Sequence, residues 1–75
     1  MDFNDFLVNF ANLFKDTDAS EIQTETEYQE LEEWSSLTAL SLMALAKTTY
    51  GKTITGREVR RCKTVEELYK LIASK

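Results

Sequence analysis

The chain is 75 residues long, 43% hydrophobic and 29% charged, with a formal net charge of −4; that is one soluble, globular domain over residues 1–75 with a modest core. The absence of proline and the presence of only two glycines argue against a turn-rich β fold. The absence of histidine and the single cysteine, Cys62, remove the commonest general base and metal ligand, every Ser-His or Cys-His pair, and any internal disulfide or cysteine metal cluster. No enzyme is expected.

The spacing predicts an amphipathic helix over Asp2 to Lys15. Phe3, Phe6, Leu7, Phe10, Leu13 and Phe14 recur at i, i+3 and i+4 and form one apolar stripe. A stripe with four phenylalanines could meet a membrane or a partner. So small a domain needs that area for its own core, and the core is the reading adopted. Asp2 and Asp5 fall in the first turn and Lys15 at the end, as the helix dipole prefers. Asp2 and Asp5 also stand where a secretory signal carries positive charge, and no apolar run approaches the ~18 residues of a membrane span. A cytoplasmic, monomeric protein without a membrane partner is expected.

Residues 16–33 form a long connection with eight acidic side chains. A long loop in a compact domain must be pinned at intervals, and Ile22, Tyr28, Leu31 and Trp34 are the candidate pins. A short helix within Ser20 to Leu31 is also expected, with Ser20, Thr24 or Thr26 as its cap. The glutamates are too numerous for a two-carboxylate catalytic site and read as loop solvation or as a face for a basic partner. Residues 1–35 carry ten acidic side chains and one basic, residues 36–75 three acidic and eight basic. Such asymmetry predicts surfaces of opposite sign, which either steer partners or answer one another within the molecule.

The most apolar run follows at Leu37 to Tyr50 and reads as the second helix, ended by Gly51. A serine just before such a run is an N-cap signal. A hydroxyl there lies beside free backbone N–H groups and the positive end of the helix dipole, which suits a phosphate ester. Ala39, Leu40, Leu42, Met43, Ala46 and Tyr50 span one broad arc, the predicted core face. Leu37, Ser41, Ala44 and Thr48 lie opposite. A solvated helix would show charge there, so this bare patch beside Ser36 reads either as a docking surface or as the side of a helix wrapped by its neighbours.

Ile54 reads as a buried pin. Thr55-Gly-Arg-Glu58 fits a capping box for a short third helix. Val59 and Cys62 share its inner face, making Cys62 a small core residue; a reactive thiol would require Arg60, Arg61 and Lys63 to lower its pKa. Thr64-Val-Glu-Glu67 fits a second capping box, opening a last helix whose Val65, Leu68 and Ile72 face inward.

The stretch Leu31-Glu32-Glu33-Trp34-Ser35-Ser36-Leu37 resembles the modification site of an acyl carrier protein, a family with Asp-Ser-Leu, often preceded by Trp, at this place. The likeness continues through Tyr50-Gly51-Lys52-Thr53-Ile54 and Thr64-Val65-Glu66-Glu67-Leu68 at the family's spacing. It implies an all-α fold: a four-helix bundle with three longer helices, a short third helix and a long first loop. It also implies 4′-phosphopantetheine, attached from coenzyme A to Ser36 by a phosphopantetheinyl transferase. The arm would hold an acyl group as a thioester and present it to acyl-loading and acyl-processing enzymes. Leu37, Leu40, Ser41, Ala44 and Thr48 would form the partner-docking face, with Leu37 and Leu40 flanking the arm. Leu42, Met43, Ala46, Ile54, Cys62 and Leu68 would line or border its cavity.

Two departures from the family stand out. Ser35 occupies the place of the family's Asp, and no acidic residue lies between Thr38 and Tyr50, where the family carries acids that meet basic enzymes. The alternative reading is therefore a degenerate, unmodified carrier-like helical module that acts in protein–protein interaction. Nucleic-acid binding finds its only support in Arg57, Arg60, Arg61 and Lys63; the net charge of −4 opposes it, and no nucleic-acid partner is expected.

Overall fold

The computed structural model describes residues 2–75. Among these the chain is all-α, with helices α1 (Phe3–Ala11), α2 (Ser36–Tyr50), α3 (Gly56–Arg61) and α4 (Val65–Ala73). Two short 3-10 turns, Ala19–Glu21 and Tyr28–Glu30, punctuate the long α1–α2 connection. Among the described residues, no helix is long and apolar enough to cross a membrane.

Helix α1 opens on the Asp2 carboxylate, which accepts the Asp5 N–H at 3.3 Å. It ends four residues earlier than the apolar stripe predicts. The Leu13 and Phe14 amides tighten onto Phe10 and Ala11 at 3.1 Å. The next two amides, of Lys15 and Asp16, are captured by the Glu33 carboxylate at 2.7 and 3.0 Å. Amides given to a distant side chain cannot continue the i→i−4 ladder. Lys15 therefore does not sit at a helix C-terminus. The stripe still packs inward: Phe6, Phe10 and Phe14 are buried, and Phe3, Leu7 and Leu13 lie partly buried against them.

That stripe is the spine of one core. Phe6 and Phe10 meet Leu42 and Ala46 of α2, Val59 of α3, and Val65, Leu68 and Ile72 of α4, all at most 1% exposed. Ring contacts tie the elements together: Phe3 to Tyr69 at 5.0 Å and Phe6 to Tyr50 at 6.1 Å. Helix α2 stops at Gly51, whose φ of 68° is left-handed and favours glycine. There its N–H reaches the Lys47 carbonyl at 3.1 Å, and that of Lys52 reaches Ala46 at 3.0 Å. Burial along α2 differs from the predicted arc at two residues: Leu40 is 59% exposed, and Leu45, outside the arc, packs partly buried against the core.

The long connection is held because it satisfies the ends of two other helices. A six-residue helix such as α3 leaves its last carbonyls without intrahelical donors. Tyr28 donates its hydroxyl to the Val59 carbonyl at 2.5 Å, with that of Cys62 3.1 Å away. The Gln29 side-chain amide donates to the Arg60 and Cys62 carbonyls at 3.0 and 2.8 Å. On the other side, the first two amides of α4, Val65 and Glu66, donate to the Thr26 and Thr24 carbonyls at 3.1 and 3.0 Å. Ile22 and Tyr28 are buried, while Leu31 and Trp34 pack partly buried on the core. All four expected pins are in place. The 3-10 turn at Ala19 is capped by Asp18, which accepts the Ser20 amide, rather than by Ser20, Thr24 or Thr26. Thr26 instead accepts from Gln23 and donates to the Glu21 carbonyl.

The box at Thr55 forms in both directions: Thr55 accepts the Glu58 amide at 3.2 Å and Glu58 accepts the Thr55 amide at 3.0 Å. At Thr64 only half of the expected box forms. Thr64 accepts the Glu67 amide at 3.2 Å, but Glu67 accepts the Lys63 amide at 2.8 Å, one residue before the cap. The neighbouring Glu27 pairs with Thr64 as an isolated antiparallel bridge.

Candidate functional site

Ser36 is the first residue of α2, and its side chain is exposed. Two features place it there. Ser35 is extended and caps the helix through a long contact, its hydroxyl oxygen 3.4 Å from the Thr38 amide. Thr38 in turn donates its own hydroxyl to the Glu33 carbonyl at 3.2 Å, which ties the first turn to the end of the loop. The amides of Ser36 and Leu37 lie before the first intrahelical bond, from Ala39 to the Ser35 carbonyl at 3.0 Å. They add positive partial charge beside the Ser36 hydroxyl.

Trp34 fixes the approach to this turn. Its ring packs edge-on against Tyr28 at 4.9 Å and lies 6.5 Å from Phe14. Its amide donates to the Leu31 carbonyl at 3.0 Å. Between Trp34, the first turn of α2 and α3 lies a cleft of about 260 Å³. Ser35, Ser36 and Ala39 form one wall, and Gly56, Val59 and Arg60 the other, with Gln29 at its end. No carboxylate lines it, and Arg60 supplies its one cation. The side chain of Arg60 lies over its own first turn, with Nη1 3.4 Å from where a Cβ on Gly56 would stand.

This cleft differs from the expected cavity. Leu42, Ala46, Ile54, Cys62 and Leu68 are buried in the core, and Met43 packs partly buried against it; none of them borders the cleft. They fail to do so because α1 and Tyr28 fill the space they enclose. The residues that do line it had other readings in the sequence. Trp34 was a pin, Ala39 and Val59 were core, and Arg60 was one of a basic cluster. Trp34 adjoins Ser36 in sequence, but Val59 and Arg60 join it only through the α2–α3 packing.

The expected docking residues share one exposed face. Leu37 is 74% exposed, and Ser41, Ala44 and Thr48 are exposed with it. Leu40 joins this face rather than the core. Thr48 donates its hydroxyl to the Ala44 carbonyl at 2.8 Å.

Cys62 is a core residue. Burial pushes its pKa above the ordinary value and Glu67 adds to that, while Arg61 opposes it only in part. A second, shallower depression of about 290 Å³ is formed by Asp16, Thr17, Glu32 and Glu33. Glu33 there is not a free solvating charge, because Thr17 donates its hydroxyl to it at 2.7 Å beside the two backbone amides. Those donors, the Thr17 hydroxyl foremost, hold its carboxyl below the usual carboxylate range. The depression is thus the anchor of the α1–loop junction. Compared with protein-family models, curated proteins and solved structures, the chain matches none of them.

Proposed function

We propose that the chain is a carrier protein of the acyl-carrier type, a cytoplasmic four-helix bundle with Ser36 as the attachment point for 4′-phosphopantetheine. The observation that carries the reading is the placing of Ser36. Its hydroxyl is exposed at the first turn of the longest helix, beside unpaired amides, at the mouth of a cleft with apolar walls and a cationic rim. These residues fit the group. The exposed hydroxyl is open to a phosphopantetheinyl transferase, the first-turn amides and Arg60 favour a phosphodiester, and Trp34, Ala39 and Val59 offer apolar contact to the arm. When bound, the arm supplies a terminal thiol that holds an acyl group as a thioester. The protein's own part is to fix the root of the arm on a rigid helix end and raise the local concentration of its cargo at successive enzymes. Leu37, Leu40, Ser41, Ala44 and Thr48 form the face that those acyl-loading and acyl-processing enzymes meet.

One observation favours a second reading. Ser35 caps α2 as Asp would but brings no charge, so a module that is never modified and acts only in protein–protein contact remains the alternative. Intact mass after incubation with coenzyme A and a broad-specificity phosphopantetheinyl transferase separates the two. The carrier reading expects a gain of one phosphopantetheine that Ser36→Ala abolishes. A gain only in Ser35→Asp identifies the unmodified module, with its site switched off by the missing carboxylate. No gain in either protein rejects the carrier.

A further inference from the structure

The segment that follows Trp34, from α2 through α3, carries charge of a sign opposite to that of the chain as a whole. Between Trp34 and Lys63 the sequence holds six basic residues and a single acid, Glu58. That acid is already neutralised: Lys75 donates to its carboxylate at 2.9 Å, with both side chains largely covered. On α2, Leu37, Leu40 and Ala44 follow i, i+3 and i+7 spacing and form an exposed apolar spine. Lys47 extends the row of Leu40 by two turns. Arg60 borders the cleft that Ser36 and Ala39 share with α3, and Arg57 and Arg61 are exposed beside it. Among the described residues, no carboxylate forms an ion pair with Lys47 or any of these arginines.

We propose that the α2–α3 face docks a protein partner whose contact patch carries carboxylates around an apolar recess. Leu37 and Leu40 enter the recess, and Lys47 and Arg60 meet the carboxylates. This rests on the carrier reading only for the importance of the Ser36 neighbourhood, and it assigns partner chemistry opposite in sign to the docking that the family resemblance implies. A protein fits better than an anionic lipid surface. The spine has two leucines and no aromatic anchor, and the exposed acids Glu30 and Glu32 stand a few residues before it. A flat anionic bilayer would meet those acids together with the basic rim, whereas a discrete patch need not.

Two synthetic amphipathic helical peptides with the same leucine stripe, one flanked by glutamates and one by lysines, test it. Each is titrated into the ¹⁵N-labelled full chain at low and at high salt. The proposal expects the glutamate peptide to shift the amides of Leu37, Leu40, Ala44, Lys47 and Arg60, and to bind about tenfold more weakly at high salt or to a K47E/R60E variant. It expects that variant to prefer the lysine peptide. Both replaced side chains are exposed, and circular dichroism checks that the variant stays folded. Equal binding of the two peptides, binding of neither, or shifts on another face overturn the proposal. So does concentration-dependent self-association through this face, in which the acidic loop of a second copy is the occupant. Binding to phosphatidylserine vesicles with no peptide preference overturns it in favour of a lipid surface. The titration uses unmodified protein. A failed Ser36 loading with intact peptide preference would reject only the carrier, and normal loading without preference would reject only the docking chemistry.

Discussion

Replacing Tyr28 by phenylalanine removes one oxygen from a fully buried side chain and leaves its ring contacts with Phe10 and Trp34 in place. The two carbonyls near that oxygen are not equally exposed to its loss. Cys62 keeps the Gln29 amide at 2.8 Å, but Val59 is left with the same amide at 3.4 Å, too long to replace the hydroxyl. The cost is that of one buried carbonyl losing its main donor, about 2 kcal/mol. A domain of this size has total stability on the order of 4–11 kcal/mol, so the midpoint temperature should fall by roughly 10 °C. Urea unfolding followed by circular dichroism and by the fluorescence of the only tryptophan, Trp34, measures it. Tyr50→Phe is the control: its hydroxyl accepts from Asn9 at 3.0 Å at a half-buried site, and its loss should cost well under half as much. If Tyr28→Phe costs no more than Tyr50→Phe, the loop does not hold α3 by capping its carbonyls, and its order must come from ring packing alone.

The Glu33 carboxyl has a folded pKa below its unfolded value. Its stabilising effect is therefore complete above the ordinary glutamate pKa and is lost as pH falls toward the lowered folded value. Urea midpoints taken from neutral pH to about pH 3 should decline less steeply in Glu33→Gln than in the parent; parallel curves would show that this carboxylate is not linked to folding. Gly51→Ala meets no atom within 4 Å, so its cost is that of the left-handed backbone alone, about 1 kcal/mol, and an unchanged midpoint would contradict that conformation. Thr55→Ala opens the α3 capping box and should cost about 1 kcal/mol, with hydrogen exchange rising at the Glu58 amide. Cys62 should react with a maleimide at least about tenfold more slowly in the native protein than in urea; equal rates would place the thiol outside the core.

Local signals in the chain were sufficient for four helices, for a serine cap ahead of α2 and the Thr55 cap of α3, for the stop at Gly51, and for the inward faces of α1 and α4; the structure puts the α2 cap at Ser35, with Ser36 already in the first turn. Each depends on residues within one or two turns of one another, where periodicity, cap chemistry and backbone conformation act directly. The exposed hydroxyl of Ser36 and the bare face of α2 were legible for the same reason. Tertiary packing decided the rest. Helix α1 does not run on to Lys15, because its end tightens at Leu13 and Phe14 and Glu33, distant in sequence, takes the Lys15 and Asp16 amides. The Glu67 half of the second box opens because the Lys63 amide draws its carboxylate away. Leu40 turns outward because a helix as apolar as α2 has no single hydrophobic side, and its neighbours select which side is covered. The cleft beside Ser36 exists only where α3 meets α2, and the long loop is ordered because the carbonyls of α3 and the amides of α4 need its partners.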